Sequence, residues 1–219
     1  GPGDHGKYAY VDGKNGKNDA DYDIWGPKFG SNVLIPQYDG EVSPTETFTT
    51  TFADGSTWEG NIKPTPWVAR GKDNLERFLQ PGLLSTNNIA VSASGDKYDL
   101  RFSYTHSYQE GVVPNTKLNS DNFNMATGFD FSDRLRFEAN INYNRQYTPN
   151  IPDVQYGPNS MIYNIIIWGA ADWSVDDMKD LWEEGKEGLQ QKYAEHTRYN
   201  NPWFLAKEWL RGHQKTDTY

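Results

Sequence analysis

Three aspartates at alternate positions, Asp19, Asp21 and Asp23 in NDADYD, have the spacing with which a calcium-binding loop opens. Ile24 stands where such a loop needs glycine for its sharp turn, and no glutamate follows at the closing position. The pattern therefore fits a solvated acidic turn, and the expectation is no metal and no cofactor. Were calcium bound anywhere, these three carboxylates would hold it. A second kind of chemistry is recognition by flat ring faces. Trp25, Tyr38, Trp58, Trp67 and Trp173 stand in polar, loop-like surroundings where an indole or phenol ring can stack on a sugar. Loop packing is the commoner role for each, since large aromatics bury area wherever they can. A third is the amide ladder Asn140, Asn142 and Asn144, each side chain offering both donors and acceptors.

Catalysis finds little purchase. The four histidines, at 5, 106, 196 and 213, lack the spacing of metal ligands. Glu183 and Glu184 are adjacent, and on a helix neighbours diverge by about 100°, so they would not flank one glycosidic bond. The chain is expected not to be an enzyme. Its net charge of −9 and isoelectric point near 4.9 exclude a nucleic-acid surface, which needs clustered lysine and arginine. The absence of cysteine excludes disulfides and thiolate metal sites.

The elements that would position these residues alternate. In LNSDNFNMATGFDFSDRLRFEANINYNRQY, Phe123, Met125, Phe129 and Phe131, then Leu135, Phe137, Ile141 and Tyr143, fall on every second position. Between them come Asn122, Asn124, Asp130, Arg136, Glu138 and the asparagine ladder. TNNIAVSAS and YDLRFSYTHSY alternate in the same way on either side of GDK, a hairpin with a tight turn. Four consecutive antiparallel strands are thus predicted over 86–148, each near the ~9–11 residues that cross a bilayer at a tilt. Short turns at 95–97 and 132–134 alternate with longer connections, as in outer-membrane barrels, whose brief turns face the periplasm. A mean hydropathy of −0.86 is compatible with this, because a transmembrane barrel hides its lipid-facing residues by alternation. The longest apolar run, MIYNIIIWGAA, is too short for a spanning helix. A soluble β-sandwich would show the same alternation, but with shorter strands and a less polar second face.

Residues 1–85 punctuate every few positions with Gly, Asn, Asp and Pro and are expected to be loops without a core of their own. In 149–212, Ser174 and Asp177 resemble a capping box that opens a helix, interrupted near Gly185 and Gly188. Asn201 can cap a second helix, Pro202 suits its first position and Gly212 can end it.

Several segments carry a family resemblance: YAYVDGKNGKNDADYDIWGPKFG, RFLQPGLLSTNNIAVSASGDKYDLRFSYTHSYQEGVVPNTKL, the hairpin around FSDRLRFEANINYN, and YNNPWFLAKE. Together they resemble the SusC/RagA family of TonB-dependent outer-membrane transporters. The resemblance covers most of the chain, with its landmarks at Trp25 to Phe29, Asn88 to Gly95 with Phe102 to Asn115, and Asn200 to Trp203. The Gly95-Asp96 turn is shorter than the family's usual one.

The resemblance implies an all-β fold: part of a large transmembrane antiparallel barrel, about 22 strands when complete, with long extracellular loops carrying short helices. Residues 1–85 would be an extracellular loop region between barrel strands, 86–148 four transmembrane strands in two hairpins, 149–212 a long extracellular loop with short helices, and 213–219 the start of the next strand. The chain is expected to be an internal piece of a longer transporter. Its implied function is TonB-dependent import of oligosaccharides or oligopeptides across the outer membrane, under a SusD-like surface lipoprotein lid and driven by TonB through a plug outside these residues. Trp25, Tyr38, Trp58, Trp67, Trp173, Asn140, Asn142 and Asn144 would face substrate, and the apolar strand face would meet outer-membrane lipid. The alternative from another class is a secreted or surface carbohydrate-binding or adhesive β-domain using the same tryptophans.

Overall fold

The structure, a computed structural model, describes residues 29–52, 55, 57–168, 171–194, 200–209 and 214–219. Strand predominates, every pairing is antiparallel, and helices are short. The described chain is thus of the β class. It divides into two compact units, one formed by residues 1–78 with 153–208 and one by 79–152 with 209–219.

In the first unit, β1 (Gly30–Ile35) pairs with β4 (Thr65–Trp67), and β2 (Phe48–Thr51) pairs with β3 (Thr57–Gly60). These short strands enclose a cluster of Ile35, Phe52, Trp58, Ile62 and Trp67, with Phe29 and Phe48 packed against it. The segment expected to lack a core therefore has one. Strands of three to six residues are too short to display a period, so their apolar residues read as isolated.

The same unit contains α1 (Asn74–Phe78), α2 (Met161–Tyr163) and α3 (Pro202–Phe204). α2 and α3 each run on into a wider π-helical turn, Asn164–Trp168 and Leu205–Trp209. Ser160 caps α2 by accepting from the Tyr163 N–H. Asn201 caps α3 by accepting from the N–H groups of Trp203 and Phe204, with Pro202 in the first turn as its fixed φ favours. Ser174 does cap a helical turn, but only the 3-10 turn Val175–Lys179. The longer helix expected beyond it does not form. Asp180 is extended, Gly185 and Gly188 sit at φ of 75° and 78°, and Trp182 bridges back to Gln191, so the chain folds as turns.

The second unit is one five-stranded meander: β5 (Leu83–Gly95), β6 (Tyr98–Glu110), β7 (Lys117–Ser132), β8 (Leu135–Asn150) and β9 (Gln214–Thr218). The first two strands have 13 residues and the next two 16, more than twice the usual length in soluble sheets. Two-residue turns at Asp96-Lys97 and Asp133-Arg134 close two hairpins at one end. At the other end, residues 111–116 make a tight loop. There Gly111 N–H donates to Thr116 O, Asn115 takes a left-handed φ of 65°, and the Gln80 side chain donates to Gly111 O. Leu83, where β5 begins, and Asn150, where β8 ends, lie at this same end.

Candidate functional site

Successive side chains of a strand point to opposite sides, so the registers divide the five-stranded sheet into two faces. One face stacks apolar rows. Val91, Phe102, Met125 and Ile141 form one, and Ile89, Tyr104, Phe123 and Tyr143 the next toward the long-connection end. Phe129 and Phe131 meet edge-to-face near the turns, with Phe137 beside Phe129. The following row is polar: Asn87, His106, Asp121, Arg145 and Asp217. Tyr104 and Tyr143 sit on that boundary. Their hydroxyls donate upward to Asp121 Oδ1 at 2.6 Å and Asp217 Oδ1 at 2.8 Å. His106 Nδ1 lies 2.8 Å from Asp121, and Lys215 pairs with Asp217 at 3.0 Å.

The opposite face is polar through most of its height, with Leu84 and Leu118 in the row of Gln109 toward the long-connection end. Asn88, Thr105, Asn122, Asn144 and Thr218 form one row, Ala90, Ser103, Asn124 and Asn142 the next, and Ser92, Arg101, Ala126 and Asn140 the one after. Asn88 donates to Thr105 Oγ1 at 2.7 Å and Asn124 to Asn122 Oδ1 at 3.1 Å. Nearer the turns, the Arg136 guanidinium bridges Asp99, Asp130 and Glu138. Gly128 makes room for it, since a Cβ there would collide with the guanidinium and lie 2.6 Å from Asp99 Oδ1.

Neither face is covered. Gly128 is the sole buried residue of the five strands, whereas Ile89 is 64% exposed and Phe137 53%. A sandwich buries one face of each sheet against the other. Among the described residues no second layer lies on either face.

The residues singled out for substrate contact separate into three groups. Asn140, Asn142 and Asn144 share the polar face, the first two exposed and the third half-buried. Trp58 and Trp67 belong to the core of the first unit at 6% and 3% exposure, and Trp173 is buried at 1%. Buried this deeply, the three indoles present no open ring to a ligand, which corrects the expectation for them; packing consumed the area that stacking would have used. Tyr38 is half-buried and serves as a strut. Its hydroxyl donates to Asp177 Oδ2 at 2.7 Å and accepts from Ser174 N–H at 3.1 Å, and Arg70 lies 5.0 Å over its ring. Burial, then the bond to Asp177, pushes its phenol well above the ordinary tyrosine range. Trp25 and the aspartates at 19, 21 and 23 lie outside the described residues.

The polar network around that strut has no signature in the sequence. Arg77 donates to Asp73, Ser174 Oγ, Asp176 Oδ2, the Arg70 carbonyl and Asn74 Oδ1. Buried Asn74 in turn donates to Trp173 O and accepts from Val175 N–H. Arg70 reaches Asp39, Gln37 Oε1 and Asp172 O. Asp176 is held below the usual carboxylate range, first by Lys179 and then by Arg77, against the opposing effect of burial. Asp172 keeps partial solvent contact as a residue, but its carboxyl lies among protein atoms. Burial pushes it up to about 7, opposed by its own backbone N–H and by the Arg70 charge. These residues lie about 100 positions apart in pairs such as Asn74 and Trp173, and no local signal announces the pairing.

Among the described residues no group of three or more histidine, aspartate or glutamate side chains is placed to hold a metal ion. No helix among them is long and apolar enough to cross a membrane. No protein-family model matches the chain, and no curated protein matches it significantly.

Proposed function

We propose that this chain forms part of the wall of a transmembrane β-barrel, of about 22 strands when complete, that imports oligosaccharides or oligopeptides across an outer membrane. The observation that carries the proposal is the uncovered two-faced sheet, with lipid-compatible residues on one side and an amide and hydroxyl field on the other. Water solvates only the second of these well. A bilayer on the first side and an aqueous lumen on the second satisfy both. Strand length supports this, since 13 to 16 residues at a tilt exceed what the hydrocarbon requires. So does the tyrosine boundary, with rings against the apolar band and hydroxyls bonded into the polar row above. Among the described residues the outer edge of β5 and the 135–143 edge of β8 have no partner strand. Each unpaired backbone group in hydrocarbon costs several kcal/mol, so further strands must complete the sheet.

Within that barrel the asparagine-bearing face lines the transport path, and the regions 1–85 and 149–212 lie on the extracellular side, as the resemblance implies. Following the resemblance to SusC/RagA transporters, a SusD-like lipoprotein closes over that side. TonB supplies energy through a plug outside these residues, and the chain itself performs no covalent chemistry. The competing adhesive or carbohydrate-binding β-domain loses support from two observations: its stacking tryptophans at 58, 67 and 173 are buried, and it would leave the apolar face bare in water.

Fractionation of the producing cell tests the proposal. The protein is expected in the outer-membrane pellet, released only by detergent. Recovery in the soluble periplasmic or secreted pool would overturn it.

A further inference from the structure

We infer that the polar face, from its mid-height to the row of Thr86, Ser107, Ser120 and Gln146, is a contact track for uncharged, hydroxyl-rich oligosaccharide in preference to oligopeptide or acidic glycan. The inference rests on the transport proposal above and names its substrate class. From the row of Ala90, Ser103, Asn124 and Asn142 upward, this face bears no ionisable side chain. The absence does not follow from local composition. At the same heights the other face carries His106, Asp121, Arg145 and Asp217. Nor is the polar face neutral everywhere, because Asp99, Arg101, Asp130, Arg136 and Glu138 gather near its turn end.

An exposed charge in a merely water-filled lumen costs almost nothing, so solvation alone gives no reason to withhold charges from one stretch of wall. Contact with a neutral ligand does. A charge that a neutral ligand strips of water without pairing is penalised, whereas a carboxamide or hydroxyl exchanges water for sugar hydroxyls at little cost. Each amide brings two N–H donors and an acceptor oxygen, matching hydroxyls that both donate and accept. Asn142, Asn144 and Gln146 make no side-chain hydrogen bond with another described residue, and Asn142 and Gln146 are exposed while Asn144 is half-buried. Peptides bring charged termini, and uronates bring carboxylates, that this stretch offers nothing to neutralise.

The test is retention on the immobilised full-length protein of two probe pools matched in length. One contains neutral gluco-, manno- and xylo-oligosaccharides; the other contains oligogalacturonates and unprotected peptides. Selective retention of the neutral pool is expected. Asn142→Ala with Asn144→Ala should weaken it about tenfold, as loss of two amide hydrogen bonds would. The Asn142→Ser with Asn144→Ser pair should recover part of it, and Val91→Ala on the apolar face should leave it unchanged. Equal or stronger retention of the charged pool, no retention of the neutral pool, or indifference to the asparagine pair would overturn the inference. Fractionation reports separately on the transport proposal: a membrane protein that prefers charged probes sinks this inference alone, and a soluble protein sinks the proposal beneath it. Retention can be measured on protein from either pool.

Discussion

Arginine placed at Ile141 and at its neighbour Asn142 should have opposite fates. In β8 the apolar face runs from Leu135 to Tyr143, eight steps of about 3.3 Å, or roughly 26 Å along the strand. In the proposed barrel, at a tilt of 35–45°, that would cover roughly 20 Å of membrane depth, close to the apolar band of known barrels. Its centre falls at Ala139, so Phe137 and Ile141 lie symmetrically about 5 Å of depth to either side. Arginine at either position should cost roughly 2–4 kcal/mol, and at Leu135, on the rim, about 0–1 kcal/mol. At Asn142 the side chain enters the wet face and should cost close to nothing. The assay refolds each variant of the full-length chain into lipid vesicles, titrates it with guanidinium and follows heat-modifiable mobility. A difference of 2–4 kcal/mol corresponds to about 30- to 1,000-fold in the folded-to-unfolded ratio. Equal cost at 141 and 142 would refute the assignment of faces, and equal cost at 135 and 141 would refute the placement of the bilayer.

Two further outcomes concern the first unit. Arg77→Ala removes a guanidinium that ties Asp73, Asn74, Ser174 and Asp176 together and takes a donor from the Arg70 carbonyl. It should destabilise this unit by about 2–4 kcal/mol in denaturant titration followed by near-ultraviolet circular dichroism, and Arg77→Lys should retain little of the lost stability because an ammonium lacks the fork; a loss below about 0.5 kcal/mol in the alanine variant would show the network to be dispensable. Asp172 binds its proton more tightly when folded, up to about 7, than in an unfolded chain near 3.9. The folded state then holds the extra proton between those values, so this carboxyl makes stability fall as pH rises from about 4 to about 7 and level off above. Asp172→Asn should flatten that limb of the stability profile, and an unchanged profile would remove Asp172 as its source.

The long strands were legible in the sequence because alternation is a local property. Each residue's side is set by its neighbours' pleat, and a run of 13 to 16 residues repeats the signal often enough to be read. Asn140, Asn142 and Asn144 could for the same reason be assigned one face before any pairing was known. The Asn201 cap and Pro202 were equally local, since a cap is satisfied within three residues. Only the tertiary structure decided the fates of the tryptophans. Whether Trp58, Trp67 or Trp173 shows a ring to solvent depends on partners elsewhere in the chain, such as the Asn74 side chain that holds the Trp173 carbonyl, and indole chemistry is the same in a core as at a surface. The register that aligns Asn88, Thr105, Asn122 and Asn144 across four strands was likewise beyond a one-dimensional pattern, because each strand's period leaves its slide against the next undetermined until turns and pairing fix it.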